Sequence, residues 1–191
     1  MVRTEPFTQY SVEIASSLLD YNNDKSSNTA EEYDKMEHMC FMITKASWRD
    51  LNAILRLEQV CFAKDAWTFL DVAGALIGGD IIRFKATCGD ELAGFAAAEI
   101  RKAEHAGWII TLGVFPQYRN QGIGSALLQA CEKALLPLKI RLCVSMKNNE
   151  AIHLYKNIGY REIGIWPSYY ADHCDAIVME KNEQETIPDA L

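Results

Sequence analysis

The sequence predicts an α/β fold in which helices layer against a sheet. Three observations carry this. Segments that alternate apolar and polar residues interleave with segments whose apolar residues recur every three or four positions. The stretch from Trp108 to Phe115 is nearly all apolar, as a central strand covered on both faces should be. Finally, 191 residues that are 49% hydrophobic and 24% charged suffice for one domain with a sizeable core of its own.

Taken in order, residues 1–39 read as an acidic, mostly flexible extension, 40–181 as the domain, and 182–191 as a tail. Within the extension, Asn22-Asn23-Asp24-Lys25-Ser26-Ser27-Asn28 has the composition of a linker, and Phe7 to Leu19 could form a short helix. Phe41 to Thr44 is a short strand candidate. Ser47 is then a helix N-cap with Asp50 three residues on, followed by Leu51, Ile54, Leu55 and Glu58 at helical spacing. A second helix is expected from Trp67 to Leu76, ended by Gly78-Gly79.

The period then changes. Ile81 to Cys88 and Leu92 to Ile100 read as strands joined by a Gly89-Asp90 turn. After the Trp108–Phe115 strand, Pro116-Gln117-Tyr118 breaks the pattern. Ser125 to Leu136 is a helix in which Leu127, Cys131 and Leu135 lie one above another beside Leu128, and Pro137 stops it. Ile140, Leu142, Val144 and Met146 alternate with Arg141, Cys143, Ser145 and Lys147, which gives a strand with one strongly apolar face. Asn148 to Asn157 is a helix ending at Gly159, and two closing strands run from Tyr160 to Ile165 and from Asp175 to Glu180.

Charge and cysteine usage narrow the function classes. The net charge is −7, but residues 1–39 hold three Lys/Arg against eight Asp/Glu, while 40–180 hold 15 of each. No basic face for nucleic acid is indicated. No apolar run of 18 residues offers a membrane span, and the N-terminus lacks the pattern of a secretory signal. Six cysteines at 40, 61, 88, 131, 143 and 174 show no C-x-x-C pair. Free thiols in a reduced, cytoplasmic protein are the simplest expectation, with no metal site.

Two motifs carry chemistry. Arg119-Asn120-Gln121-Gly122-Ile123-Gly124-Ser125 lies between a buried strand and a helix. Its glycines allow backbone N–H groups to approach a phosphate, the helix start adds its positive dipole end, and Arg119 adds a cation. The same stretch could instead be a plain strand-to-helix turn that needs glycine for its dihedrals. It is neither a Walker loop nor the dinucleotide fingerprint. The second motif is Asn148-Asn149-Glu150-Ala151-Ile152-His153-Leu154-Tyr155, where Asn148 is an N-cap or a ligand contact and Tyr155 a packed aromatic or a functional phenol.

Together, an R-x-x-G-x-G loop opening a helix and a strand followed by N-x-x-A-I-x-L-Y resemble the GNAT superfamily of acetyl-CoA-dependent N-acetyltransferases. Gly159-Tyr160-Arg161-Glu162, Tyr169-Tyr170, Asp175-Ala176, Glu58-Gln59-Val60-Cys61-Phe62 and Trp67 look like the bacterial ribosomal-protein-alanine N-acetyltransferases, over about residues 41–181. The resemblance implies a mixed, mainly antiparallel sheet of about seven strands flanked by helices. It implies acetyl-CoA as co-substrate and no metal. The pyrophosphate would rest on Asn120, Gln121, Gly122, Ile123, Gly124 and Ser125, with Arg119 opening the loop. Leu112, Gly113 and Val114 would pair with the pantetheine arm, and Asn148 would hold that arm. Tyr155 would protonate the departing thiolate after direct attack by the amine. Tyr169 and Tyr170 would line the acceptor channel.

One departure stands out. The ribosomal-protein-alanine group carries a glutamate general base on the strand before the Asn motif, and the corresponding position here is Cys143. A thiol with an ordinary pKa near 8.5 is a poor base. Cys143 is therefore either a structural residue or a nucleophile, and a water relayed to Glu99, His173 or a backbone carbonyl is left as base. The acceptor implied is a protein N-terminal α-amine, with a ribosomal protein as one candidate. A small amine such as a polyamine, amino acid or drug, or acetyl-CoA binding without turnover, are the alternatives. A monomer or weak homodimer is expected.

Overall fold

The computed structural model describes residues 41–182. The Phe7–Leu19 helix, the Asn22–Asn28 linker, Cys40 and the tail beyond 182 lie outside the described residues. The rest forms one seven-stranded sheet of β1 (Met42–Lys45), β2 (Ile81–Cys88), β3 (Glu91–Arg101), β4 (Ala106–Val114), β5 (Lys139–Ser145), β6 (Arg161–Trp166) and β7 (Ala176–Lys181). Four helices accompany it: α1 (Leu51–Phe62), α2 (Phe69–Ile77), α3 (Ile123–Leu135) and α4 (Asn149–Asn157). The strand order is β1-β2-β3-β4-β5-β7-β6, and only the β4–β5 pair is parallel. The mixed, mainly antiparallel architecture agrees with the expectation.

Two apolar layers sandwich the sheet. On one face, Ile123, Leu127, Leu128, Cys131 and Leu135 of α3, with Ala151, Ile152, Leu154 and Tyr155 of α4, pack against Ile109, Leu112, Ile140, Leu142 and Val144. On the other, Leu51, Ile54, Leu57, Cys61 and Phe62 of α1 and Val72, Ala75 and Leu76 of α2 pack against Phe95, Ala97, Trp108, Ile110 and Cys143. Burying this much apolar side chain is the main stabilising term.

Local chemistry moves three boundaries from their expected places. The residues from Trp48 to Asp50 form a 3-10 turn rather than the first turn of α1, because the Ser47 N–H donates to Asp50 Oδ2 at 2.8 Å. The second helix starts at Phe69, not Trp67: Thr68 and Asp71 form a reciprocal capping box, Thr68 N–H donating to Asp71 Oδ2 (2.8 Å) and Asp71 N–H to Thr68 Oγ1 (3.4 Å). Trp67 is left outside the helix with its indole buried. Strand β5 stops at Ser145, and Met146, expected on its apolar face, is 44% exposed. Its N–H still donates to the Asp175 carbonyl (3.1 Å), the last bond in the β5–β7 register before the chain turns into α4.

Two features of β4 matter for function. Its parallel ladder with β5 covers only Ala106–Ile109 against Lys139–Leu142. Beyond Ile109 the strands part: β4 continues on β3 as far as Val114, and β5 continues on β7 through Cys143, Val144 and Ser145. In addition, the β3–β4 register slips at Ala97/Ala98, which pair with Thr111 and Ile109 and leave Ile110 as an extra residue. This bulge interrupts the alternation, so Ile110 and Thr111 both face α1.

Candidate active site

The parting of β4 from β5 leaves one backbone edge of Leu112, Gly113 and Val114 without a strand partner, while the other edge is paired to Ala96, Phe95 and Gly94. An extended ligand arm can add to such an edge as a strand would. Gly113 also has little room on its other side. A Cβ there would come within 3.2 Å of the Phe62 ring.

At the end of β4 the chain passes through a Pro116–Tyr118 3-10 turn into α3. Asn120 (φ 62°) and Gly122 (φ 75°) take left-handed conformations that reverse the chain, and α3 begins at Ile123, two residues before the expected Ser125. Gly122 occupies the N-cap and supplies no side-chain cap, so the first N–H groups of α3 point out of the helix start. Ser125 is buried here, and its Oγ finds no hydrogen-bond partner among the described residues. Gln121 turns away, its Nε2 donating to the Gln117 carbonyl at 3.4 Å. Arg119, expected to open the loop as a cation, also makes local contacts. Its Nε donates to the Val114 carbonyl (3.1 Å), and its guanidinium reaches Cys61 Sγ (3.9 Å). Arg119 thus ties the loop to the end of β4.

Asn148 is an N-cap: its Oδ1 accepts the Ala151 N–H at 3.0 Å. It also lines a cavity. The cap fixes α4, which carries Tyr155 inward. Tyr155 is fully buried, with its ring edge-to-face on Tyr160 at 5.5 Å. Tyr160 in turn donates to Glu132 Oε1 (2.9 Å), and Lys181 holds the other oxygen (2.9 Å). The Tyr155 hydroxyl has no partner among the described residues. Burial chiefly, then the neighbouring Tyr170 and Glu132, hold its pKa well above that of a free phenol. Tyr155 and Tyr170 belong to opposite layers and still influence one another, as side chains on the two sides of the β4–β5 opening would.

On the α1 side lies a cavity of about 320 Å³ lined by Phe62, Asp65, Ser145, Lys147, Asn148, Tyr170 and Asp172. Lys147 and Asp172 form an exposed ion pair at its rim, which holds the Asp172 carboxyl below the usual range. Asp65 Oδ1 accepts the Ala171 N–H (2.9 Å), linking the turn after α1 to the β6–β7 connection. Tyr170 lines the cavity. Tyr169 stands one ring behind, between Tyr170 (5.2 Å) and Trp166 (5.4 Å).

The base candidates fare unequally. Cys143 is buried and its thiol is pushed up to about 12 by burial, with Arg101 only partly opposing, so it supplies no thiolate near neutrality. Glu99 is ion-paired with Arg101 (2.7 Å) and sits opposite Trp108, beside the closed part of β4. His173 is exposed in the β6–β7 turn, its N–H donating to the Tyr170 carbonyl at 2.8 Å. Among the described residues no His/Cys/Asp/Glu group could hold a metal, the cysteines are free, and no helix is long and apolar enough to cross a membrane.

Sequence reasoning gave Glu58 no chemical role, yet it is the most unusual carboxyl among the described residues. At 1% exposure, its Oε1 accepts the Thr111 hydroxyl (2.8 Å) and its Oε2 the Trp67 N–H (3.2 Å). Burial outweighs those hydrogen bonds, and with Asp71 nearby lifts its pKa to about 7. A glutamate at an inward-facing position of an otherwise apolar helix stripe was the available signal.

Comparison with known proteins fits this geometry. An N-alpha-acetyltransferase of Sulfurisphaera tokodaii is 42% identical over 77 residues, 38% of this chain and 46% of that protein, so the match spans about half of that relative. An uncharacterized N-acetyltransferase of Methanocaldococcus jannaschii is 30% identical over 146 residues, 74% of this chain and 92% of that protein. The crystal structure of the ribosomal-protein-S18-alanine N-acetyltransferase from Escherichia coli superposes with a TM-score of 0.67 at 28% identity, covering 74% of this chain and 92% of that one. The family model for GNAT acetyltransferases matches residues 42–160, and the chain belongs to the acetyltransferase (GNAT) family.

Proposed function

We propose that the chain is an acetyl-CoA-dependent N-acetyltransferase acting in the cytoplasm on the N-terminal α-amine of a protein, with a ribosomal protein as the first candidate. The observation that carries this is the opening between β4 and β5, and the buried Tyr155 hydroxyl, with no partner among the described residues, supports it. The resident groups fit the co-substrate. Uncapped N–H groups at the start of α3 and the orphaned Ser125 Oγ suit a pyrophosphate, and the edge of β4 at Leu112 to Val114 that no strand pairs, its Val114 carbonyl already held by Arg119, suits an amide-bearing arm. Asn148 keeps its amide nitrogen for that arm while its oxygen caps α4.

Acetyl-CoA, when bound, supplies an activated thioester carbonyl. Tyr155 stays protonated at neutral pH and so keeps a proton for a departing thiolate. Tyr170 and the Phe62–Asp65 turn form the wall on the acceptor side. With Cys143 unable to act as base, the acceptor's own pKa decides reactivity. An α-amine, pKa about 7.7–8.0, is roughly a quarter neutral near pH 7.4, whereas a lysine amine, pKa about 10.4, is neutral only about one part in a thousand. A site with little basic assistance therefore selects α-amines. The names of the Sulfurisphaera and E. coli relatives agree with that choice.

The test is acetyl transfer to peptides with a free N-terminus against N-blocked peptides that contain lysine. Product on the α-amine is expected. A clear preference for the lysine, or for a polyamine or other small amine, contradicts the assignment.

A further inference from the structure

We propose that Glu58 is a positioning residue of the acceptor site: by accepting hydrogen bonds from Thr111 and from the Trp67 backbone at once, its carboxylate holds the Phe62–Asp65 wall against the open half of β4. This rests on the transfer reaction proposed above. The geometry is specific. Phe62 lies one helical turn after Glu58 on α1 and, with Asp65, lines the cavity. Trp67 ends the same connection before α2. Thr111 stands two residues past the point where β4 leaves β5, and it faces α1 only because the bulge at Ile110 interrupts the alternation. Glu58 therefore joins this wall to the strand edge along which the co-substrate would lie.

Only the ionised carboxyl serves both donors. A protonated one keeps both contacts only by turning its O–H to the Thr111 oxygen, which reverses that bond and changes its geometry. The groups around it do not neutralise its charge. Asp71 approaches from α2, Cys61 stands on its own helix, and Arg119 is spent on the Val114 carbonyl and Cys61. Burial places the titration near 7, within reach of physiological pH.

The experiment compares wild type with Glu58→Gln and Glu58→Asp, measuring kcat/KM for a peptide acceptor at saturating acetyl-CoA between pH 5.5 and 8.5. In wild type two ionisations, those of Glu58 and of the acceptor amine, should steepen the acid limb toward a slope of 2. Glu58→Gln should reduce that slope to 1 and lower kcat/KM about tenfold at pH 8, with the KM for acetyl-CoA within twofold. Glu58→Asp should restore the steeper limb. Thr111→Val should also lower kcat/KM for the acceptor, and Thr111→Ser should not. A Glu58→Gln profile that overlays wild type overturns the proposal. A second readout needs no turnover. Wild-type tryptophan fluorescence should show a transition near pH 7 that is absent from both Glu58→Gln and Trp67→Phe. A transition that persists in Glu58→Gln, or is missing in wild type, overturns the proposal, whereas an inactive wild type that shows it removes the reaction assignment instead.

Discussion

Tyr155→Phe should fold, keep its affinity for CoA and lose about 100- to 10,000-fold in kcat, the range that a positioned proton donor contributes. The phenol ring is fully buried between the α4 cap and Tyr160, and phenylalanine retains that packing. The hydroxyl it removes has no hydrogen-bond partner among the described residues, so its loss leaves no other group unsatisfied and costs no stability. Phenylalanine leaves the backbone of the α3 N-terminus and of β4 unchanged, so binding should survive. Steady-state kinetics with a direct CoA-binding measurement separate the two effects. An unchanged kcat removes Tyr155 from the chemistry. A parallel loss of CoA affinity makes it a binding residue.

The second large effect concerns stability. Glu58 titrates near 7 in the folded chain and near 4.3 when unfolded. Between those values the folded state holds a proton that the unfolded state has released, so stability is full below about pH 4 and falls as pH rises toward 7. The loss is roughly 3 kcal/mol by pH 8. Glu58→Gln has no such titration. It should therefore be the more stable protein above pH 7 and should lack the decline between pH 5 and 7. Asp50 and Asp172, whose carboxyls are held below the usual range, act in the opposite sense and only at lower pH. Denaturant unfolding at pH 5 and pH 8 checks this, and parallel changes in the two proteins contradict it. A carboxylate that weakens the fold near neutrality is the kind of residue retained for function rather than stability.

Much of this was readable in the chain because period and punctuation agree. The all-apolar Trp108–Phe115 stretch became β4, the Leu127–Cys131–Leu135 stack became the buried face of α3, and Gly89-Asp90 became a hairpin turn. The R-x-x-G-x-G and N-x-x-A-I-x-L-Y segments marked two helix termini because their chemistry is local: left-handed residues before one helix, a side-chain cap and an inward tyrosine on the other. The misses are tertiary. Nothing in the local sequence at Ile110 signals a bulge, which arises from β3–β4 register and re-aims Thr111. The tie from Arg119 Nε to the Val114 carbonyl was likewise not legible in the local sequence. Glu58 fitted a helical stripe, and only the fold shows what it is buried against. At Trp67 the shift was legible locally, since Thr68-x-x-Asp71 is a capping box.

The account depends most on the bend after Phe115 gripping a diphosphate through its own main chain. Thermal unfolding of the folded chain with increasing CoA tests this most directly. A saturable rise in Tm is expected, worth about 2.7 kcal/mol of stability at 100 times Kd, and it should weaken when Gly124→Leu crowds the start of α3. A Tm that ignores CoA, or a rise that Gly124→Leu leaves intact, contradicts the assignment of this loop.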